Sequence, residues 1–370
     1  MATWMLIIGI IIALITLPTC GLLIIFFLFP HYLVQLSFRI RQHRAGMYIK
    51  YIGNEEFIFC YAERNAPQPN RTSLVFVHGF SSSKDQWIPC FRGLPKDLHL
   101  IALDLPGHGF SSKPGDDVEI GLEFVVGSLK KFLDLVGLSN QKIHLVGSSM
   151  GGAIVGLYAA YYPDNVEKVT MVCPAMKTPI DSSFAIQMQE AIQLGPDNIS
   201  HEHCILLAND IQGLKNLFDA CCYNKDVMKI SEQFWQGFLN LRLTKLDFYL
   251  RLFKAIATEE HIDLLAKTAP GITIPSQLIW GRNDELIHVS GAEYLRSRLP
   301  NCRYVDIIDD CGHAIDIDRP ALLNEHLLKF IQDDCSQDLN PTTVLSSSSH
   351  STENKVLSAA ASESSFKKED

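Results

Sequence analysis

Few architectures accept the stretch Ile143-His144-Leu145-Val146-Gly147-Ser148-Ser149-Met150-Gly151-Gly152. An apolar run leads straight into Gly-x-Ser-x-Gly, and small residues (Ala153, Gly156, Ala159, Ala160) follow. That order predicts a buried strand turning sharply into a helix, with Ser149 at the apex and glycines where a Cβ would collide. Ser148 fills the first variable position, so Ser149 is the candidate nucleophile. The Met150 amide opens a helix whose N-terminal end favours negative charge, which suits one half of an oxyanion hole. Such a spacing also arises by chance, so its surroundings must decide.

Those surroundings repeat the pattern. Leu74-Val75-Phe76-Val77 is apolar at every position, as in a strand covered on both faces, and ends in His78-Gly79-Phe80. Leu100-Ile101-Ala102-Leu103 ends in Asp104-Leu105-Pro106-Gly107-His108-Gly109. Glu56–Tyr61 and Val169–Val172 read as further strands, separated by polar turns or by a helical pattern over about Ile120–Leu135. Strands alternating with helices predict a doubly wound, mostly parallel α/β sheet whose ligands bind at the carboxyl ends of the strands. From about 176 to 268 the buried strands stop. This segment reads as an inserted helical cap carrying Phe218, Phe234, Trp235, Phe238, Phe248, Tyr249, Leu250 and Phe253. Most of that stripe belongs to a core, and some of it faces a greasy substrate. Strands resume at Ser276–Trp280 and Arg303–Ile307, before a helix over Pro320–Gln332.

A serine nucleophile needs a base, and the base needs an orienting acid. Gly281-Arg282-Asn283-Asp284-Glu285 follows one late strand, and Asp309-Asp310-Cys311-Gly312-His313 follows the next. The order Ser149, Asp284, His313 is the serine, acid, histidine order of α/β hydrolases. Glu285 and His288 are rivals, but the first points elsewhere from a tight turn and the second follows the acid too closely. His78, His108 and His144 read as structural. The second oxyanion donor is assigned to the backbone amide of Phe80. Neither a cofactor nor a metal is required, and His201-x-His203 lacks the partners of a metal site. His313-x4-Asp318 has an acyltransferase-like spacing, although Asp318 before Arg319-Pro320 also suits a helix N-cap.

The N-terminus has a different character. Residues 1–38 contain no Asp, Glu, Lys or Arg, and Met5–Phe29 is almost wholly apolar. That run crosses the roughly 30 Å hydrocarbon layer as a helix. It lacks the charged start of a cleaved signal peptide and exceeds the roughly 7–15 residues of that peptide's apolar region. Pro18 suggests a kink; Trp4 and His31-Tyr32 read as interfacial anchors. Arg39, Arg41, Arg44 and Lys50 then precede the first acid, Glu55. The positive-inside rule puts the rest of the chain in the cytosol, with the N-terminus lumenal or extracellular. Ten scattered cysteines without a Cys-x-x-Cys pair agree with a reducing compartment. The sequons at Asn70 and Asn198 are then expected to stay unmodified. A net charge of −9 and no basic cluster beyond this segment exclude nucleic acid as a partner. The domains are accordingly an anchor with its basic segment (1–50), an α/β domain with its cap (51–335), and a Ser-rich tail (336–370) read as disordered.

His78-Gly79-Phe80, Asp104–Gly109, Gly147–Gly152, Trp280–Asp284 and Cys311–His313 together resemble the α/β-hydrolase superfamily. Phe59-Cys60-Tyr61, Leu94–Leu100, Tyr158–Pro163 and Val172–Ala175 are similar to its membrane-anchored monoacylglycerol lipases. The resemblance covers about residues 5–335 and implies hydrolysis of monoacylglycerols, including 2-arachidonoylglycerol, at an intracellular membrane such as the late endosome, lysosome or endoplasmic reticulum. Lysophospholipids, a broader range of esters or a carbon–carbon bond are the alternative substrates; a membrane scaffold is the non-enzymatic one.

Overall fold

The computed structural model describes residues 2–54, 57–193, 199–201 and 204–335. The Ser-rich tail, Asn198 and His203 lie outside them. The chain divides into residues 1–333 and 334–370, and of the second unit only Asp334 and Cys335 are described.

Two helices open the chain, α1 (Ala2–Leu28) and α2 (Pro30–Ala45), and two strands follow, β1 (Tyr48–Gly53) and β2 (Ile58–Arg64). Next come β3 (Ser73–Val77), α3 (Ile88–Gly93), β4 (Leu100–Leu103), α4 (Leu122–Leu135), β5 (Ile143–Ser148), α5 (Met150–Tyr161) and β6 (Val166–Val172). An insertion of helices covers α6 (Ser183–Gln193), α7 (Ile211–Cys221), α8 (Glu232–Leu243), α9 (Leu246–Ile256) and α10 (Glu259–Thr268). The chain then returns to β7 (Ser276–Gly281), α11 (Ser290–Arg296), β8 (Cys302–Ile308), α12 (Ile315–Asp318) and α13 (Pro320–Gln332).

The eight strands form one sheet in the order β1-β2-β4-β3-β5-β6-β7-β8. Strands β1 and β2 pair antiparallel with each other, β2 pairs antiparallel with β4, and every later pairing is parallel. All residues of β3, β4, β5 and β7 are buried, which is why these strands read as mostly apolar runs. Register aligns their ends: Val77 pairs with Leu103 and Gly147, Ser148 with Val172, and Gly281 with Ile308. The segments that follow these strands, carrying residues 78–81, 149, 173, 284 and 313, therefore leave one edge of the sheet.

Three elements differ from the expectation. First, α1 runs through Pro18 as one helix, while the Thr16 and Thr19 hydroxyls donate to the carbonyls of Ile12 and Ile15. Second, residues 48–53 are an antiparallel edge strand that begins inside the segment assigned to the anchor (1–50); most of β1 is exposed, so no apolar run announces it. Third, the basic segment after the apolar helix is itself a packed helix. Pro30 sits at its first turn and Gly46 ends it at φ 73°, a left-handed cap. Its inner stripe buries Val34, Gln42 and Ala45. Phe38 meets Phe238 of α8 edge-on at 6.0 Å. A Cβ on Gly237 would lie 2.6 Å from both the Pro30 carbonyl oxygen and Val34 Cγ2, so the two helices touch through a glycine. His31 and Tyr32 lie in the first turn of this helix.

Candidate active site

At the β5–α5 junction Ser149 adopts φ 56° and ψ −122°. A non-glycine residue in that region costs of order 1–3 kcal/mol and persists where its surroundings over-determine it. They do so here. The Ser149 amide donates to the Val172 carbonyl at 2.9 Å, and its own carbonyl accepts from Ala153 at 3.1 Å and Ala175 at 2.9 Å. A Cβ on Gly147 would lie 2.1 Å from the Gly151 oxygen, and one on Gly151 would lie 2.3 Å from the Val77 oxygen. The glycines of the elbow thus allow helix α5 to start against the ends of β3 and β5.

The loop after β3 faces that serine: a Cβ on Gly79 would sit 3.1 Å from Ser149 Cβ. Neighbouring amides in this loop are used. Gly79 N–H donates to Gln86 Oε1 at 3.1 Å, and Ser81 N–H to His108 Nε2 at 3.2 Å. Among the described residues neither the Phe80 nor the Met150 amide has a protein acceptor, which leaves both free for a ligand oxygen. His78 and His108 are buried and neutral, and they shape this loop. His78 Nε2 accepts from the Leu105 amide at 3.0 Å, which places its proton on Nδ1, 2.7 Å from the Gly79 oxygen. Burial pushes the proton affinity of His78 down to about 4 and that of His108 well below the ordinary value. Beneath the loop, Lys84 and Asp104 form a fully buried ion pair at 2.9 Å. The Asp104 carboxylate also accepts the Lys84 amide at 2.7 Å and the Phe110 amide at 2.9 Å.

Asp284 and His313 leave β7 and β8 and meet. His313 Nδ1 lies 2.7 Å from Asp284 Oδ2, while Asp284 Oδ1 accepts the amides of Leu286 and Ile287, both at 2.8 Å. This fixes the imidazole with Nδ1 protonated and Nε2 free to take a proton. Burial opposes the imidazolium, but the charge and hydrogen bond of Asp284, helped by the charge of Asp316, outweigh it. The net effect raises His313 above its ordinary 6.5. Asp316 is itself pushed up to about 6 by burial, and its Oδ1 accepts from Gln86 at 3.2 Å. The rivals stay outside the site: Glu285 is exposed, and His288 Nδ1 accepts the Ser290 amide at 3.1 Å. His144 is buried in β5 against the Thr170 hydroxyl at 2.9 Å. Cys173, Asp284 and His313 bring potential ligand atoms within 4.8 Å of one another, but the imidazole and carboxylate already bond to each other there. None of the ten cysteines forms a disulfide.

Asp318 does not cap α13, whose N-cap is Arg319 without a side-chain bond. Its carboxylate instead accepts Gly312 N–H at 2.8 Å, Tyr223 N–H at 2.7 Å and Asn224 N–H at 3.1 Å. It fastens the cap to the loop that carries His313. Sequence reasoning missed this role, and it missed Gln86, Lys84 and Asp316, because each depends on a partner remote in the chain. Asp104 opens the Asp104–Gly109 motif, yet nothing local points to Lys84.

Ser149, His313 and Phe80 line a cavity of about 2260 Å³ that reaches α2 through Val34 and Phe38. Such a volume exceeds the roughly 300–1,000 Å³ of ordinary small-molecule sites. The cap aromatics divide as expected of a two-faced layer. Phe218, Phe234, Phe238, Tyr249 and Phe253 face the cavity. Trp235 is buried with Leu214, Leu217 and Leu239, Leu250 packs against the main core, and Phe248 fills the space left by Gly107.

A family model for the alpha/beta hydrolase fold matches residues 72–320. This chain is an α/β hydrolase. Among curated α/β hydrolases it is similar to the monoacylglycerol lipase ABHD6 of Homo sapiens, 30% identical over 316 residues, covering 85% of this chain and 91% of the relative. Similarity to the monoacylglycerol lipase abhd6-A of Xenopus laevis is 32% over 316 residues, with the same coverage of 85% and 91%. Among solved structures, a membrane phospholipase A described as a bacterial virulence factor superposes with a TM-score of 0.73 at 23% identity. That match covers 90% of this hydrolase and 98% of the other chain.

Proposed function

We propose that this α/β hydrolase is a membrane-anchored serine esterase that splits monoacylglycerols into fatty acid and glycerol. The observation that carries the chemistry is the Asp284–His313 bond in the same cavity as an elbow serine flanked by two unpaired amides. His313 Nε2 takes the Ser149 hydroxyl proton as Oγ attacks the ester carbonyl. The Phe80 and Met150 amides hold the resulting oxyanion; a donor of this kind is worth about 100- to 1,000-fold in turnover. Collapse expels glycerol, which leaves with the proton from His313. Water, deprotonated by His313, then releases the fatty acid from the acyl-serine. Asp284 holds the imidazole in the required tautomer throughout.

The monoacylglycerol assignment is supported by the named activity of the relatives and by the apolar cap face over a large cavity. Helix α1, long and apolar enough to cross a membrane, is the anchor. Arg39, Arg41, Arg44 and Lys50 favour a cytosolic hydrolase domain with the N-terminus on the opposite side, at an intracellular membrane. A lipid-ester panel on the wild type and Ser149→Ala tests the reading. Monoacylglycerol hydrolysis is expected from the wild type alone, together with fluorophosphonate labelling that the variant loses. Undiminished hydrolysis by the variant would overturn the mechanism, and turnover of short soluble esters but not of monoacylglycerols would overturn the substrate.

A further inference from the structure

The loop carrying the Phe80 amide is held from an unexpected direction. Immediately after Phe80, Ser81 adopts φ 55°, a left-handed conformation that a serine keeps only where its neighbours impose it. Its amide is taken by His108. Its hydroxyl accepts from Arg242 Nη1 at 3.1 Å. Arg242 stands near the end of cap helix α8, more than nine-tenths buried. Its Nε donates to the Ala208 carbonyl at 2.7 Å and its Nη2 to the Leu206 carbonyl, both in the cap. The guanidinium lies 5.6 Å from the ring centre of Tyr249, and that ring lies 5.7 Å from the ring of Phe80. Among the described residues no carboxylate comes within ion-pair distance of Arg242. A buried cation is thus held by neutral acceptors alone, two in the cap and one in the oxyanion loop.

We propose that Arg242 is a positioning residue for catalysis: through Ser81 it sets the Phe80 amide in its oxyanion-binding position and makes that position depend on the seating of the cap. The proposal rests on the reading of Phe80 as an oxyanion donor. Arg242 suits the task because its planar fork reaches three acceptors in fixed directions, which a lysine ammonium cannot reproduce. Cap and oxyanion loop are remote in sequence, and this side chain joins them by direct hydrogen bonds.

The test uses the full-length protein, a short water-soluble ester that makes few cap contacts, and an alkylboronic acid that forms a tetrahedral adduct on the nucleophile. Ser81→Ala removes one oxygen; Arg242→Gln and Arg242→Lys remove the fork. Displacement of a donor by a fraction of an ångström is expected to lower kcat roughly ten- to hundred-fold. KM for the short ester should stay unchanged, and boronate affinity should fall by the same factor as kcat. The double variant Ser81→Ala/Arg242→Gln should fall no further than the worse single variant. A Ser81→Ala enzyme with kcat within about twofold of wild type overturns the proposal, as does a kcat loss with unchanged boronate affinity; either reads without the Arg242 variants if those fail to fold. Ser149→Ala separates the two levels: if it stays active, the esterase mechanism fails, whereas an inactive Ser149→Ala beside a fully active Ser81→Ala rejects Arg242 alone.

Discussion

His313 sits where burial, which disfavours the imidazolium, meets the Asp284 and Asp316 carboxylates, which favour it, and the carboxylates win. A base must be neutral to act, so a raised proton affinity moves the acid limb of kcat/KM to a midpoint above 6.5. Asp284→Asn removes the larger carboxylate contribution and should shift that limb to lower pH, with turnover reduced by about 10,000-fold through the lost tautomer control. A pH–rate profile of both proteins checks the two effects together. The same shift has a sign for stability. The contribution of His313 is complete below 6.5, its unfolded value, and is lost as pH rises through the higher folded value. Lys84 offers a second residue-scale prediction, because its ion pair with Asp104 is fully buried. Lys84→Met strands the carboxylate and should destabilise the fold by about 3–5 kcal/mol, read as a fall in the denaturation midpoint. The placing of Ser149, Asp284 and His313 at strand ends was legible in the sequence because each follows a strand-like run and stands in a turn or loop. Lys84, Gln86, Asp318 and Arg242 were not, since what gives each its role is a partner that only the tertiary fold supplies.

Elements were legible where burial is two-sided. Strands β3, β4, β5 and β7 announce themselves as apolar runs, whereas β1 is largely exposed and α2 mixes its packing positions with arginines. Helix α2 is nevertheless bound to the catalytic domain from two sides, by Gly237 of α8 and by a 2.6 Å hydrogen bond from Gln42 to Asp85. Gly237→Val would drive a branched side chain into Pro30 and Val34. A cost of about 1–3 kcal/mol is expected from overpacking, visible as faster proteolysis within α2 and a lower melting temperature. Asp318 makes the opposite prediction. Asp318→Ala releases amides on both the cap and the His313 loop, so stability should fall by about 1.5–3 kcal/mol while ester hydrolysis is reduced rather than abolished. Complete loss with an unchanged melting curve would instead assign Asp318 a chemical role.

Across the whole molecule, the cap is fastened to the strand-end loops at several places, among them Asp318 near His313, Arg242 near the oxyanion loop, Lys245 on the Gly109 carbonyl and Ser182 on the Leu286 carbonyl. The region after Phe29 is part of the same packed body, so removing α1 alone should preserve turnover of a soluble ester, whereas removing α2 as well should cost folding. Expression and melting of the two truncations decide this. The junction of α1 and α2 carries a further consequence. A single residue, Phe29, separates the end of α1 at Leu28 from the start of α2 at Pro30, and one residue spans at most about 3.6 Å. With α1 in the bilayer, the enzyme has no leash: it cannot swing toward a neighbouring vesicle and must wait for lipids to diffuse to it within its own leaflet. Proteoliposomes mixed with protein-free liposomes should therefore consume labelled monoacylglycerol held in their own membrane and spare a non-exchanging analogue held in the other.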